Sequence, residues 1–328
     1  MAVVLSKWMH GLQTPESGFA PGRQRVVIGV LSCSPEHSGS VFTEKAASAA
    51  FFITHLQKTV SWGKVYYVHN AVFERRTTMV SWSSVIFAGV SAVLAIGAPV
   101  ALAIWFCRRY KVGAVPVLVG ALTFFITQII LRIPLLQIFS PIIHPYLEGG
   151  GGVLLVGLFL ALTAGLFEEL GRYGAFRLLL KDQGNWKTAV AMGIGHGGIE
   201  SLLLVGLNMA ANFIILFSLN LELSLDVPQE VYGELLDAAP WMFLVGGIER
   251  VLALSFHVGA SVLVVLGAVR RKFSLVLLAI LAHTLLNLPV AMVDSAAGIV
   301  AVEFWLLLWA VGALIWTVRS RPFFPEDI

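Results

Sequence analysis

Two adjacent glutamates, Glu168 and Glu169, interrupt an otherwise apolar stretch, with Arg172 one helical turn further on. His196 and Glu200 form a second pair four residues apart, and His283 and Asn287 a third. His257 follows the doublet Glu249-Arg250 by seven residues. Each pair four residues apart shares one face of a helix. Together these are the side chains of a hydrolytic site. A carboxylate takes the proton of an attacking water, an imidazole orients that water, and paired donors stabilise the oxyanion. Glu168, His196, His283 and Asn287 are the candidates for these roles. Glu169 and Arg172 balance charge, with Glu200 and His257 in support. His196, His257 and His283 with Glu168 also match the ligand types of zinc. No HExxH is present, so the expectation is chemistry without a cofactor, with zinc the alternative. Glu249-Arg250 reads as a self-contained ion pair. The run Gly193-Ile194-Gly195-His196-Gly197-Gly198 is expected to admit another backbone or a substrate segment beside the imidazole.

The elements that must hold these residues are membrane spans. The chain has 328 residues, of which 58% are hydrophobic and 12% charged. A water-soluble fold carries about 25% charged residues, so lipid must be part of this protein's solvent. A net charge of +3, with 22 basic and 19 acidic residues, points to no nucleic-acid partner. The two cysteines, Cys33 and Cys107, form no disulfide framework.

Seven stretches are long and apolar enough to cross a bilayer. They run over residues 82–106, 112–137, 153–180, 188–219, 241–269, 273–293 and 302–318. The predicted fold is therefore all-α and polytopic. Arg132 lies near the far end of span 2, where it is expected to snorkel to the interface. Residues 220–240 read as a polar loop carrying Glu222, Asp226, Glu230, Glu234 and Asp237.

Basic residues cluster at alternate loops: Arg108, Arg109 and Lys111; Arg177, Lys181 and Lys187; Arg270, Arg271 and Lys272; Arg319 and Arg321. By the positive-inside rule these loops and the C-terminus are cytoplasmic. A reporter fused after Arg321 is accordingly expected inside, and one inserted at Glu230 outside. The reverse pattern would refute this topology. At 1.5 Å rise per residue, Glu168 and Glu169 lie about 15–18 Å from the cytoplasmic ends, His196 about 12 Å, His257 about 18 Å and His283 about 15 Å. Four helices thus place polar side chains in one layer of the cytoplasmic half. An ionisable group at that depth costs about 2.5–3.5 kcal/mol or more unless partnered.

Residues 1–78 have a different character, with no apolar run of spanning length. They read as a disordered or non-native extension. The run Glu74-Arg75-Arg76 can be encoded as a purine-rich ribosome-binding sequence just before Met79, which is the expected start. N-terminal sequencing of the native protein tests this.

The ordered set Glu168-Glu169-x-x-Arg172, Met192-x-x-x-His196 and His283-x-x-x-Asn287 resembles the motifs of the glutamic intramembrane proteases. That superfamily includes the CAAX prenyl proteases, with EExxxR, FxxxH and HxxxN/D on successive helices. The Gly-His-Gly-Gly-Ile-Glu run and Glu249-Arg250 before His257 look like the YhfC-type branch. Arg172 falls four residues after the first glutamate, as in the EExxK of PrsW-type relatives, and Met192 stands where phenylalanine is usual. The resemblance covers residues 79–321. It implies an intramembrane peptidase of a prokaryotic plasma membrane, acting on a membrane-protein or lipidated peptide substrate, with Glu168 as the base, His196 positioning its water, and His283 and Asn287 donating to the oxyanion. A proton-coupled transporter and a non-catalytic scaffold are the alternatives, since buried Glu and His also build proton relays.

Overall fold

The computed structural model describes residues 80–143, 152–223, 229–293 and 295–325. Residues 1–78, Met79 and Asp226, used above, lie outside them. The described chain is helical, with no strand. The seven spanning helices are Trp82–Tyr110, Val115–Ile142, Gly152–Leu179, Trp186–Asn220, Pro240–Val269, Phe273–Val290 and Ala296–Arg319, numbered spans 1 to 7. Their outer faces are leucine, isoleucine, valine and phenylalanine, with Leu178 79% and Ile138 72% exposed. Such a surface suits hydrocarbon and no aqueous phase.

Three expectations shift. Span 7 begins at Ala296 instead of residue 302, which moves Glu303 two turns inside the helix. Span 2 runs on to Ile142, which places Arg132 well inside it. The acidic segment between spans 4 and 5 contains a short helix, Gln229–Asp237. Its Leu235 is buried among Val80, Val85, Leu216 and Phe243.

Span 5 is the centre of the bundle and packs on spans 1, 3, 4, 6 and 7. Span 2 lies against spans 3 and 4, and span 6 against span 3. Helices in lipid gain nothing by hiding apolar surface from one another, so close approach has to come from small residues. A Cβ on Gly120 would stand 1.9 Å from Met192 O, and one on Gly195 1.9 Å from Val117 O. These two glycines seat spans 2 and 4 backbone to backbone. Gly193 meets Val258 Cα at 2.6 Å on the same measure, and Gly259 meets Ala313 Cβ at 2.7 Å. Span 1 is tied to span 5 by Ser91, whose Oγ donates to Phe243 O at 2.5 Å and accepts from Gly247 N at 3.1 Å.

Span 2 is locally widened into π-type turns over Phe125–Arg132, and buries Thr127, Gln128 and Arg132. Such turns recur at functional sites because they rotate side chains off the regular α face. Asn185 starts span 4 by accepting from Thr188 N at 2.9 Å. Lys111 and Arg271, both at φ 55°, close the helices that precede them.

Candidate active site

Glu168, Glu169, Arg172, His196, Glu200, Glu249, Arg250, His257 and His283 are all buried where spans 3, 4, 5 and 6 meet. Gly165, one turn before the glutamates, lets span 6 approach: a Cβ there would lie 2.8 Å from Ile280 O and 3.2 Å from His283 Cβ. Gly197 does the same for His257, whose Cβ would be 3.1 Å away. The glycines around His196 are therefore filled by neighbouring helices. Gly193, Gly195 and Gly197 bring spans 2 and 5 against span 4, and the expected room for a substrate segment at these three positions is not there.

Glu168 is the hub. Its Oε2 lies 2.9 Å from His196 Nε2, 3.4 Å from Arg172 Nη2, 3.7 Å from His257 Nδ1 and 3.9 Å from His283 Nε2. Its Oε1 accepts a 2.6 Å hydrogen bond from Gln128 Nε2. Glu169 turns the other way. Its Oε1 accepts from Arg172 Nη1 and, at 2.7 Å, from His283 Nδ1, while Oε2 has no hydrogen-bond partner among the described residues. Arg172 also donates from Nη2 to His257 Nδ1 at 2.6 Å. The three imidazoles are neighbours in a row, with ring centroids 5.2 Å apart and planes tilted by 40° for His196 and His257, and 5.4 Å apart and edge-on for His257 and His283.

Glu249-Arg250 is not self-contained. Arg250 Nη2 pairs with Glu249, but Nη1 donates to Glu200 Oε1 at 3.0 Å. Glu200 Oε2 faces His257 Nε2 and accepts no aligned hydrogen bond. The outer ion pair thus joins the site through Glu200. Asn287 is buried one turn beyond His283, and its Nδ2 donates to no partner among the described residues.

Arg132 does not snorkel. It is buried, and its guanidinium donates to Gln128 Oε1 at 3.1 Å, Leu160 O at 2.7 Å and Thr163 Oγ1 at 3.3 Å. A guanidinium that finds a carbonyl, an amide and a hydroxyl inside the bundle has no need of the interface. Gln128 was not singled out in the sequence, because an uncharged amide in a span raises no alarm. Glu303 was also missed. Both its oxygens are buried without a hydrogen-bond partner among the described residues, within electrostatic reach of Glu249 and Arg250.

One ligand atom from each of Glu168, His196, Glu200 and His257 lies within 4.8 Å of the others. Glu200 thus replaces His283 in the metal set expected above. Oxygen and imidazole donors suit zinc or a similar divalent ion. Charge agrees. Within the described spans, away from their ends, five glutamates (168, 169, 200, 249 and 303) face three arginines (132, 172 and 250). With neutral histidines that leaves a surplus of two negative charges, which one divalent cation or two protons would balance. The residues present therefore fit a metal ion. One contact opposes it: a guanidinium only donates, so Arg172 occupies the Nδ1 lone pair of His257.

An all-helical bundle of seven span-length helices around a buried carboxylate–imidazole cluster defines a polytopic membrane protein with a buried polar site. A family model described as YhfC intramembrane metalloprotease matches residues 90–307. The uncharacterized membrane protein YhfC of Bacillus subtilis (strain 168) is 31% identical over 268 residues, covering 75% of this chain and 100% of its own. The chain belongs to the YhfC family. No solved structure matches it.

Proposed function

We propose that this protein is an intramembrane peptidase in which Glu168 activates the water that attacks a peptide bond. The observation that carries this reading is the convergence of His196, Arg172, His257 and His283 on the single atom Glu168 Oε2. Water bound beside Oε2 would lose its proton to the carboxylate as it adds to the carbonyl, with His196 holding Oε2 in place from 2.9 Å. The same carboxyl group then returns that proton to the leaving amine. Arg172 keeps Glu169 and Glu168 in place without a third acid. His283, oriented through Nδ1 by Glu169, directs Nε2 toward the reacting side of Glu168, and Asn287 supplies a further donor for the oxyanion.

Glu168, His196, Glu200 and His257 would hold a divalent metal. A bound ion would supply a polarised water at neutral pH and a Lewis acid for the carbonyl. This is the chemistry that the family's description names. The metal-free alternative, by likeness to the glutamic superfamily, is favoured by the Arg172 contact on His257 Nδ1. Both place Glu168 and His196 at the centre. We assign the protein to a prokaryotic plasma membrane, with the C-terminus and the nearer route for water on the cytoplasmic side. The substrate is a membrane-embedded or lipid-anchored polypeptide.

Metal removal separates the two chemistries. Full-length protein in detergent is stripped with chelator and assayed on a dye-quenched designed transmembrane peptide, before and after adding zinc. The metal reading expects activity lost on stripping and restored at one ion per chain, with binding abolished in His196→Ala. Full activity in metal-free protein would overturn it and leave the glutamate mechanism. No cleavage under either condition would overturn the peptidase reading itself.

A further inference from the structure

We infer that Gln128, held in one orientation by Arg132, is a positioning residue that tethers Glu168 by Oε1 and so turns Oε2 toward the three imidazoles. The inference rests on the reading that Glu168 is the working carboxylate, and it adds a span that none of the sequence motifs touches.

The argument is one of donors and acceptors. A glutamine side chain has an oxygen that only accepts and a nitrogen that only donates, and coordinates alone often leave the two interchangeable. Here the choice is forced. Arg132 Nη1 lies 3.1 Å from the Gln128 amide, and a guanidinium cannot accept, so the atom facing it must be the oxygen. The amide nitrogen then faces Glu168 Oε1 at 2.6 Å and donates to it. Arg132 is itself fixed by Leu160 O and Thr163 Oγ1, both on span 3, the helix that carries Glu168. Its guanidinium is thus anchored to the element whose carboxylate it orients.

The consequence for Glu168 is directional. With Oε1 tethered, the carboxylate is turned so that a proton taken from water, or a metal ion, is met by Oε2, the atom that faces His196, His257 and His283. The carboxylate of Glu200 is handled the same way from the opposite side. Arg250 takes its Oε1 and leaves Oε2 toward His257. Two carboxylates are therefore each tethered by one oxygen from outside the cluster, with the other turned inward. The π-type turns over Phe125–Arg132 set the presentation of both Gln128 and Arg132 on span 2.

Partners that orient the residues of a site typically carry 10–100-fold in affinity or activity. Gln128→Leu keeps most of the volume and removes the donor. Arg132→Met keeps the stem and frees the amide to turn. Each full-length variant is compared with the parent protein for zinc affinity, by competition with a chelating dye, and for kcat and KM on the designed transmembrane peptide. We expect Gln128→Leu to lose about 10–100-fold in zinc affinity or in kcat, with KM unchanged. Arg132→Met should lose less, and the double variant no more than Gln128→Leu alone, because both act through one hydrogen bond. A purely structural role would instead give additive losses that follow thermal stability. Should Gln128→Leu fail to fold, Arg132→Met carries the same comparison. Parental zinc affinity and kcat in folded Gln128→Leu, or in folded Arg132→Met where Gln128→Leu does not fold, would overturn the inference and leave the peptidase reading standing. A parent protein that neither binds zinc nor cleaves would overturn that reading, and this inference with it.

Discussion

Glu168→Gln is expected to reduce cleavage of a transmembrane peptide by at least ~10²-fold, the scale of losing a general base, while the protein stays inserted and folded. The amide can still receive the Gln128 donor at Oε1, and the substitution removes no volume, so the loss would be chemical. His196→Ala should fall comparably under the proposed mechanism, because its Nε2 contacts Oε2 at 2.9 Å. Initial rates measured beside thermal unfolding curves separate the two effects. Parental turnover in both variants would mean that the chemistry resides elsewhere.

The second large effect concerns stability. Gly195→Ala would place a methyl carbon 1.9 Å from Val117 O and 2.9 Å from Val117 Cα, both backbone atoms that no rotamer change can move aside. Spans 2 and 4 would have to separate, carrying Gln128 away from the glutamates on span 3. Overpacking of this kind costs about 1–3 kcal/mol or more, and we expect the upper part of that range. Gly174→Ala is the control. That glycine also lies in a span, but its Cβ would meet nothing within 4 Å, so its unfolding midpoint should match or exceed the parental one. Equal midpoints for the two variants would contradict the backbone contact between spans 2 and 4.

Much of this architecture is legible in the amino-acid sequence because a bilayer imposes two strict requirements. Spans must be about 20 apolar residues long, and an ionisable side chain within one is costly enough to stand out. Glu168, Glu169, His196, His257 and His283 are conspicuous for that reason, and helical rise alone sets them in one layer. Rise gives depth and says nothing of rotation about the helix axis. That rotation is set by glycine contacts such as Gly165 with Ile280 and Gly197 with His257, which depend on neighbours distant in sequence. Glu200 therefore looked like a supporting residue, yet it shares the cluster with His257. Arg132 was misplaced because its partners Leu160 and Thr163 belong to the next helix. Glu303 was overlooked because span 7 was begun six residues late. Gln128 carries no charge and so gave no signal at all.

Arg132 also bears on the order in which the protein can be assembled. As the chain leaves the ribosome, span 2 reaches the bilayer before Leu160, Thr163 and Glu168 have been synthesised. Alone it would present a guanidinium to hydrocarbon, about 2.5–3.5 kcal/mol against insertion. Span 3 in isolation would present two carboxylates beside a single arginine. Span 4 carries Glu200 ahead of the Arg250 that neutralises it on span 5. Each of these helices is a poor passenger by itself and an acceptable one beside its successor. Biogenesis is accordingly expected to proceed by paired release, spans 2 and 3 together and then spans 4 and 5. A nascent chain stalled after span 2 would be held at the insertion machinery until its partner arrives.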